Sequence, residues 1–145
     1  MRFAATMLAG LLTLASLYGC GSDGPARKQT FSVKGVLTVN GQPPMSPMQL
    51  QCHGVGGIDT NMPSLSQAIS DPDGTFEIST YEKGDGVPPG EYTLTIEWRQ
   101  FSSITMSYGG KDRLGEKYAD PKTSTVKFTV KDQPVDLGEI ALKTE

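Results

Sequence analysis

Residues 90–98 read GEYTLTIEW. Tyr92, Leu94, Ile96 and Trp98 alternate with Thr93, Thr95 and Glu97, and a period of two puts the first four on one face of an extended strand. β-Branched and aromatic residues fill the stretch, which suits a pleated, half-buried surface. The expectation is a strand with Tyr92 and Trp98 in the core and the two threonines and Glu97 facing out. The same period recurs on both sides of it, and no long helical pattern appears anywhere from Phe31 onward.

Upstream, Phe31, Val33, Leu37 and Val39 share one face, and Gly35 interrupts it, which predicts close packing or a bulge there. Asn40-Gly41 is a strong turn signal. Met48, Leu50 and Cys52 form a second strand, delayed by Pro43, Pro44 and Pro47, which cannot donate to a central ladder. Residues 53–65 (HGVGGIDTNMPSL) read as a Gly-rich loop. Gln67–Ser70 make a short strand, Asp71-Pro72-Asp73-Gly74 turns the chain, and Phe76 and Ile78 mark the next strand. Residues 80–91 are a long turn. Downstream of Trp98 the period breaks over residues 99–122, where Asp112 to Tyr118 reads as one helical turn capped by Asp112, with Leu114 and Tyr118 on one face. Val126, Phe128 and Val130 resume the strand pattern. Val135 and Leu137 lie on odd positions and Ile140 and Leu142 on even ones, so a bulge is expected near Gly138.

Seven short strands separated by turn signals, with no crossover helices, predict an all-β fold, a seven-stranded antiparallel β-sandwich. An open barrel is the alternative. The chain has 145 residues, a net charge of −3 and two cysteines, which suits one domain able to bury a core without metal or disulfide help. No basic stripe is present, so nucleic acid is excluded as a partner class. The mild acidity reads as solubility.

The first twenty residues are MRFAATMLAGLLTLASLYGC. Arg2 precedes an apolar stretch from Phe3 to Leu17, shorter than the roughly 20 residues that span a bilayer. A basic start, an apolar middle and small residues at the end make a secretory signal. Leu17-Tyr18-Gly19-Cys20 resembles the lipobox of bacterial lipoproteins, with Tyr18 larger than the residue usual at its position. The resemblance implies cleavage before Cys20 and acylation of its thiol, and two or three acyl chains give stable attachment where one would be marginal. The expected organisation is a signal peptide over 1–19, a lipidated Cys20 and flexible tether over 20–29, and a β-sandwich domain over 30–145. Residues 21–29 (GSDGPARKQ) fully extended reach at most about 30 Å.

The stretches FSVKGVLTVNGQP (31–43), AISDPDGTFEIST (68–80) and GEYTLTI (90–96) resemble the carboxypeptidase regulatory-like domain. The longer set that includes TYEKGDGVPPGEY (80–92) and DRLGEKYADPKTS (112–124) is similar to small lipoproteins of planctomycete bacteria. The resemblance runs over about residues 31–142. It implies a seven-stranded, transthyretin-like or Ig-like sandwich with no catalytic role, acting as an accessory, binding or spacer module. Its motifs specify turns and strand ends and are nearly silent on chemistry.

The residues themselves argue against an enzyme. His53 is the single histidine, and its neighbour Cys52 points to the opposite face of a strand, which rules out a Cys–His pair. No nucleophile elbow is present. One imidazole and one free thiol are too few ligands for a zinc centre, so no catalytic residues, cofactor or metal site are assigned. Transthyretin-like folds include a hydroxyisourate hydrolase, but its several histidines are absent here. Asp71 and Asp73 have the spacing of a calcium loop, yet Gly74 falls at the fourth position where an EF-hand needs it at the sixth, and an Asp-Pro-Asp-Gly turn explains all four residues. Cys52 is expected to be a small buried apolar residue.

Loops over a rigid sandwich are where recognition concentrates. Within 99–122, Tyr108, Asp112, Arg113 and Tyr118 are the candidate partner-binding residues, and Cys20 is the lipid attachment site. The function expected is a lipid-anchored, non-catalytic module of the cell envelope that binds or positions another component. Its partners would be the membrane, through the lipid, and an envelope protein or glycan. The alternatives are a structural envelope spacer and a carbohydrate-binding accessory. Gly21 after the cysteine favours the outer membrane, by analogy with lipoprotein sorting, over another periplasm-facing membrane surface.

Overall fold

The computed structural model describes residues 26–144. The expected signal peptide, Cys20 and residues 21–25 of the expected tether lie outside them. Period-two alternation becomes nine strands, with no helix among the described residues: β1 (Val33–Val39), β2 (Gln49–Gly54), β3 (Ser66–Ile69), β4 (Thr75–Glu77), β5 (Gly90–Glu97), β6 (Gln100–Ser102), β7 (Ser107–Gly109), β8 (Lys127–Val130) and β9 (Val135–Leu142). One sheet has the order β4-β1-β9, a second β3-β2-β5-β8, and β6 and β7 form a separate hairpin. The fold is all-β, a β-sandwich whose two main sheets hold the seven strands legible in the sequence.

One part of the expectation needs correction. β1 and β9 run parallel, with Val33 opposite Val135 and Val39 opposite Leu142, so the sandwich is not wholly antiparallel. Parallel strands need a long crossover, and here everything from β2 to β8 supplies it, so no crossover helix is required. Register along this pair shifts between Lys34 and Val36, opposite Gly138 at φ 63°. That is the bulge implied by the phase change in residues 135–142. Gly35 faces it, and a Cβ there would lie 2.8 Å from the ring of Phe76 and 3.1 Å from the Gly138 carbonyl oxygen. An aromatic ring laid over a strand glycine restores the contact the missing side chain gives up.

Val33, Leu37, Val39, Phe76, Ile78 and Leu142 pack against Leu50, Cys52, Leu94, Ile96, Phe128 and Val130 in one buried cluster. Each fully buried aliphatic side chain contributes roughly 1.5–3 kcal/mol. Tyr92 and Phe128 sit opposite each other on β5 and β8, their rings stacked at 5.5 Å. Thr93 and Thr95 face away from the core as expected, yet they are buried. On β2, Gln51 lies opposite Thr95 and His53 opposite Thr93, and His53 Nε2 lies 2.9 Å from Thr95 Oγ1.

The sheets join along one side, where Gln67 and Ser79 exchange both backbone hydrogen bonds at 2.9 Å. At one pole, Phe31 and Val87 bond reciprocally just before β1 and β5 begin. The described end of the tether docks at this pole. Arg27 reaches Glu82 at 2.7 Å and Lys28 reaches Asp59 at 2.7 Å, while the Lys28 N–H donates to the Tyr81 hydroxyl at 3.1 Å. At the other pole β5 is followed by Trp98, whose indole N–H donates to Ser46 Oγ at 2.7 Å, and the β6–β7 hairpin comes next.

Candidate functional site

The irregular appearance of residues 99–122 conceals two structures. The first is the hairpin. Its strands are three residues long, with Phe101 opposite Tyr108 and the two rings tilted at 59° with centroids 5.2 Å apart. No charged residue occurs from Gln100 to Gly110, and Ile104 at the tip is 94% exposed. The second structure is the segment that follows. It is a run of turns rather than the expected helical turn, because Gly115 and Glu116 both take positive φ, at 67° and 58°, which a right-handed helix cannot contain. Asp112 does cap it. Its carboxylate accepts from the backbone N–H groups of Trp98 (2.8 Å), Leu114 (3.1 Å) and Glu116 (2.9 Å).

This geometry separates the four candidate binding residues by exposure. Asp112 and Tyr118 are both buried. Asp112 spends its carboxylate on three backbone donors, and the Tyr118 hydroxyl accepts from Lys143 N–H at 3.3 Å while its ring fills the core. Arg113 remains exposed, with its guanidinium 5.1 Å from the centre of the Trp98 ring. Tyr108 is half-buried and stands at the rim of a groove.

That groove has a volume of about 1140 Å³ and runs over the outward side of β3 and β4, between β1 on one flank and β2, β5 and Tyr108 on the other. Its floor follows from strand register. On β2, Gln51 lies opposite Gln67 of β3 and Thr95 of β5, and Gln49 lies opposite Ile69 and Glu97. Two outward rungs therefore carry three glutamine amides, a threonine, an exposed isoleucine and a carboxylate. Arg99 fastens the hairpin to this face. Its Nε donates to the Glu97 carboxylate, Nη1 donates to the Gly110 carbonyl at 2.6 Å, and Nη2 lies 3.6 Å from Glu116. The bond to Glu97 raises the guanidinium pKa further, so Arg99 is charged at every working pH.

Gln49, Gln51, Gln67 and Arg99 were not singled out in the sequence. Alternation does put residues 49 and 51 outside, but which side chains face them across β3 and β5 depends on register, which one chain's pattern does not state.

The other polar groups weighed in the sequence have local contacts. His53 and Cys52 point to opposite faces: the imidazole meets Thr95 and the thiol is buried in the core, which pushes its pKa up to about 12. The Asp71–Gly74 turn closes on itself, with Gly74 N–H donating to the Asp71 carbonyl at 2.9 Å. Thr75 donates to Asp73 through its hydroxyl (2.7 Å) and its N–H (2.9 Å), which holds the Asp73 carboxyl below the usual carboxylate range.

Comparison with known proteins adds little. No family model matches the chain, and no curated protein matches it. Among solved structures, a 9R-lipoxygenase from Cyanothece PCC8801 matches over 79% of this chain and 16% of its own, at 17% identity and a TM-score of 0.39. The chain thus spans about one sixth of that enzyme's length, and a likeness this distant carries no argument about function.

Proposed function

We propose that the chain is a lipid-anchored, non-catalytic module of the cell envelope that binds or positions another envelope component, with a sandwich of the carboxypeptidase regulatory-like, transthyretin-like kind. The observation that supports it is polarity. Residues 26–31 lie at one end of the sandwich, held through Lys28 to Asp59 and Tyr81 and through Phe31 to Val87. The hairpin, with its uncharged, exposed tip, lies at the other. An acyl anchor at Cys20 would hold the first pole near the membrane and present the second away from it, by roughly the 25 Å that an eight-residue strand spans. The opposed faces of Cys52 and His53 support the non-catalytic part, since no nucleophile meets a base there.

A carbohydrate-binding accessory is the second reading, favoured by the amide-lined groove beside Tyr108. The first reading is tested by detergent-phase partition and intact mass of the protein from its native membrane. The expected result is a mature chain that begins at an acylated Cys20, and a Cys20→Ser variant that leaves the membrane fraction. A Cys20→Ser variant that still fractionates with membranes overturns it.

A further inference from the structure

We propose that the groove over β3 and β4 binds a neutral oligosaccharide, with the amides of Gln49, Gln51 and Gln67 reading its hydroxyls and the Tyr108 ring packing on a sugar face. The inference rests on the binding-module reading above and assigns that module its ligand class.

The chemistry of the lining selects the ligand. A glutamine amide offers both donors and acceptors, and a sugar hydroxyl also does both, so each amide can engage vicinal hydroxyls in either sense. Gln51 and Gln67 are exposed and Gln49 is half-buried, and none of the three side-chain amides has a hydrogen-bond partner among the described residues. Register holds Gln51 and Gln67 side by side on adjacent strands, about 5 Å apart, with Gln49 one outward position further along β2. Ile69, 58% exposed, supplies apolar surface opposite Gln49 for the C–H face of a ring. Tyr108 is fixed at the rim by Phe101 below it and by Arg99, which ties Gly110 to Glu97. A binding site of mostly apolar walls and a few placed polar groups is the usual pattern for small ligands, and this groove departs from it toward many polar groups, as a polyol requires.

Two competing ligand classes fit less well. An anionic ligand would meet Glu77, Glu97, Asp71 and Asp136 in the lining against Lys34 and Lys83, and Lys34 already lies 3.8 Å from Asp136. A peptide adding as a strand needs a free sheet edge, and β3 has β2 on one side and, at Gln67, both backbone groups bonded to Ser79 on the other.

The test is calorimetric titration of the mature, lipidated protein, held in a detergent without a sugar headgroup, with cellotetraose, chitotetraose and maltotetraose. The expected result is saturable binding of at least one of them, weakened about tenfold or more by Gln51→Ala, by Gln67→Ala and by Tyr108→Ala, a loss of the size expected from one hydrogen-bonding or stacking partner. Thr129→Ala, on the far strand β8, should bind as the parent does. All four positions lie on the surface side of strands, and unchanged melting temperatures confirm that the variants are folded. No heat with any tetrasaccharide, or equal binding by the glutamine variants and the parent, overturns the assignment. Binding of an anionic or peptide ligand in the groove with no sugar binding overturns it too. In each of those cases a chain that still partitions through Cys20 leaves the envelope-module reading standing, whereas loss of that partition strikes the module reading itself.

Discussion

At the scale of single residues, glycines and one thiol decide most. Gly74 sits at φ 92°, and a Cβ there would lie 2.1 Å from the Leu37 carbonyl oxygen, a group that cannot yield because the Leu37 N–H is itself bonded to the Gly74 carbonyl at 2.8 Å. Gly41 has a similar φ of 77° with nothing within 4 Å. Gly41→Ala should therefore cost about 1 kcal/mol, the left-handed penalty alone. Gly74→Ala should cost about 3 kcal/mol or more, because the backbone must also move. Denaturant melts of the two variants check the difference. Cys52 behaves as the sequence indicated, a small apolar filler. With its pKa pushed up to about 12, the folded protein should not react with a thiol reagent at pH 8, and the thiol should become titratable only on unfolding. A raised pKa for a group that is neutral in the fold leaves its stabilisation complete below the ordinary thiol range and removes it as pH rises toward 12, so stability should fall in strong alkali.

At the scale of elements, the strands were legible and the irregular segments were not. Alternation at 92–98, 126–130 and 135–142 located strands and even the Gly138 bulge, because one buried face forces a strict period. The 99–122 segment resisted for two physical reasons. Its hairpin strands are too short to show a period, and their one aromatic pair, Phe101 and Tyr108, is separated by the turn. Its second half mixes the cap of a helix with two positive-φ residues that prevent one. Asp112 illustrates the ambiguity: a charged residue in a charged stretch reads as surface, and only the three backbone N–H groups around it reveal a buried fastener. Asp112→Ala should cost about 2–4 kcal/mol, since it strands those donors, with Asp112→Asn recovering part of the loss. Amide hydrogen exchange at Leu114 and Glu116 should accelerate in step. The tether's end is a weaker element. The Lys28 ammonium, followed by the Asn61 and Met62 N–H groups, holds the Asp59 carboxyl below its usual range. A depressed acid contributes above its unfolded pKa and is lost as pH falls through the folded one. Residues 26–29 should therefore stay docked at neutral pH and release in acid below the ordinary carboxylate range, as followed by the amide resonance of Lys28.

At the scale of the whole molecule, the sandwich has two different poles, residues 26–31 at one and the β6–β7 hairpin at the other. The first twenty residues raise the expectation of an envelope protein, and strand count indicated the architecture. What they left out is direction: the parallel β1–β9 pair and the Phe31–Val87 bridge fix which loops share a pole, and both are long-range pairings that no local pattern encodes. The proposed function requires the pole opposite residues 26–31 to be a recognition surface rather than inert bulk. Photo-crosslinking in intact cells decides this, with the reactive side chain placed at Ile104 on the hairpin tip in one strain and at Thr129 on β8 in another. Ile104 should trap one dominant envelope component while Thr129 yields a diffuse set weighted by abundance. The same diffuse set from both positions would contradict it and leave the molecule a spacer alone.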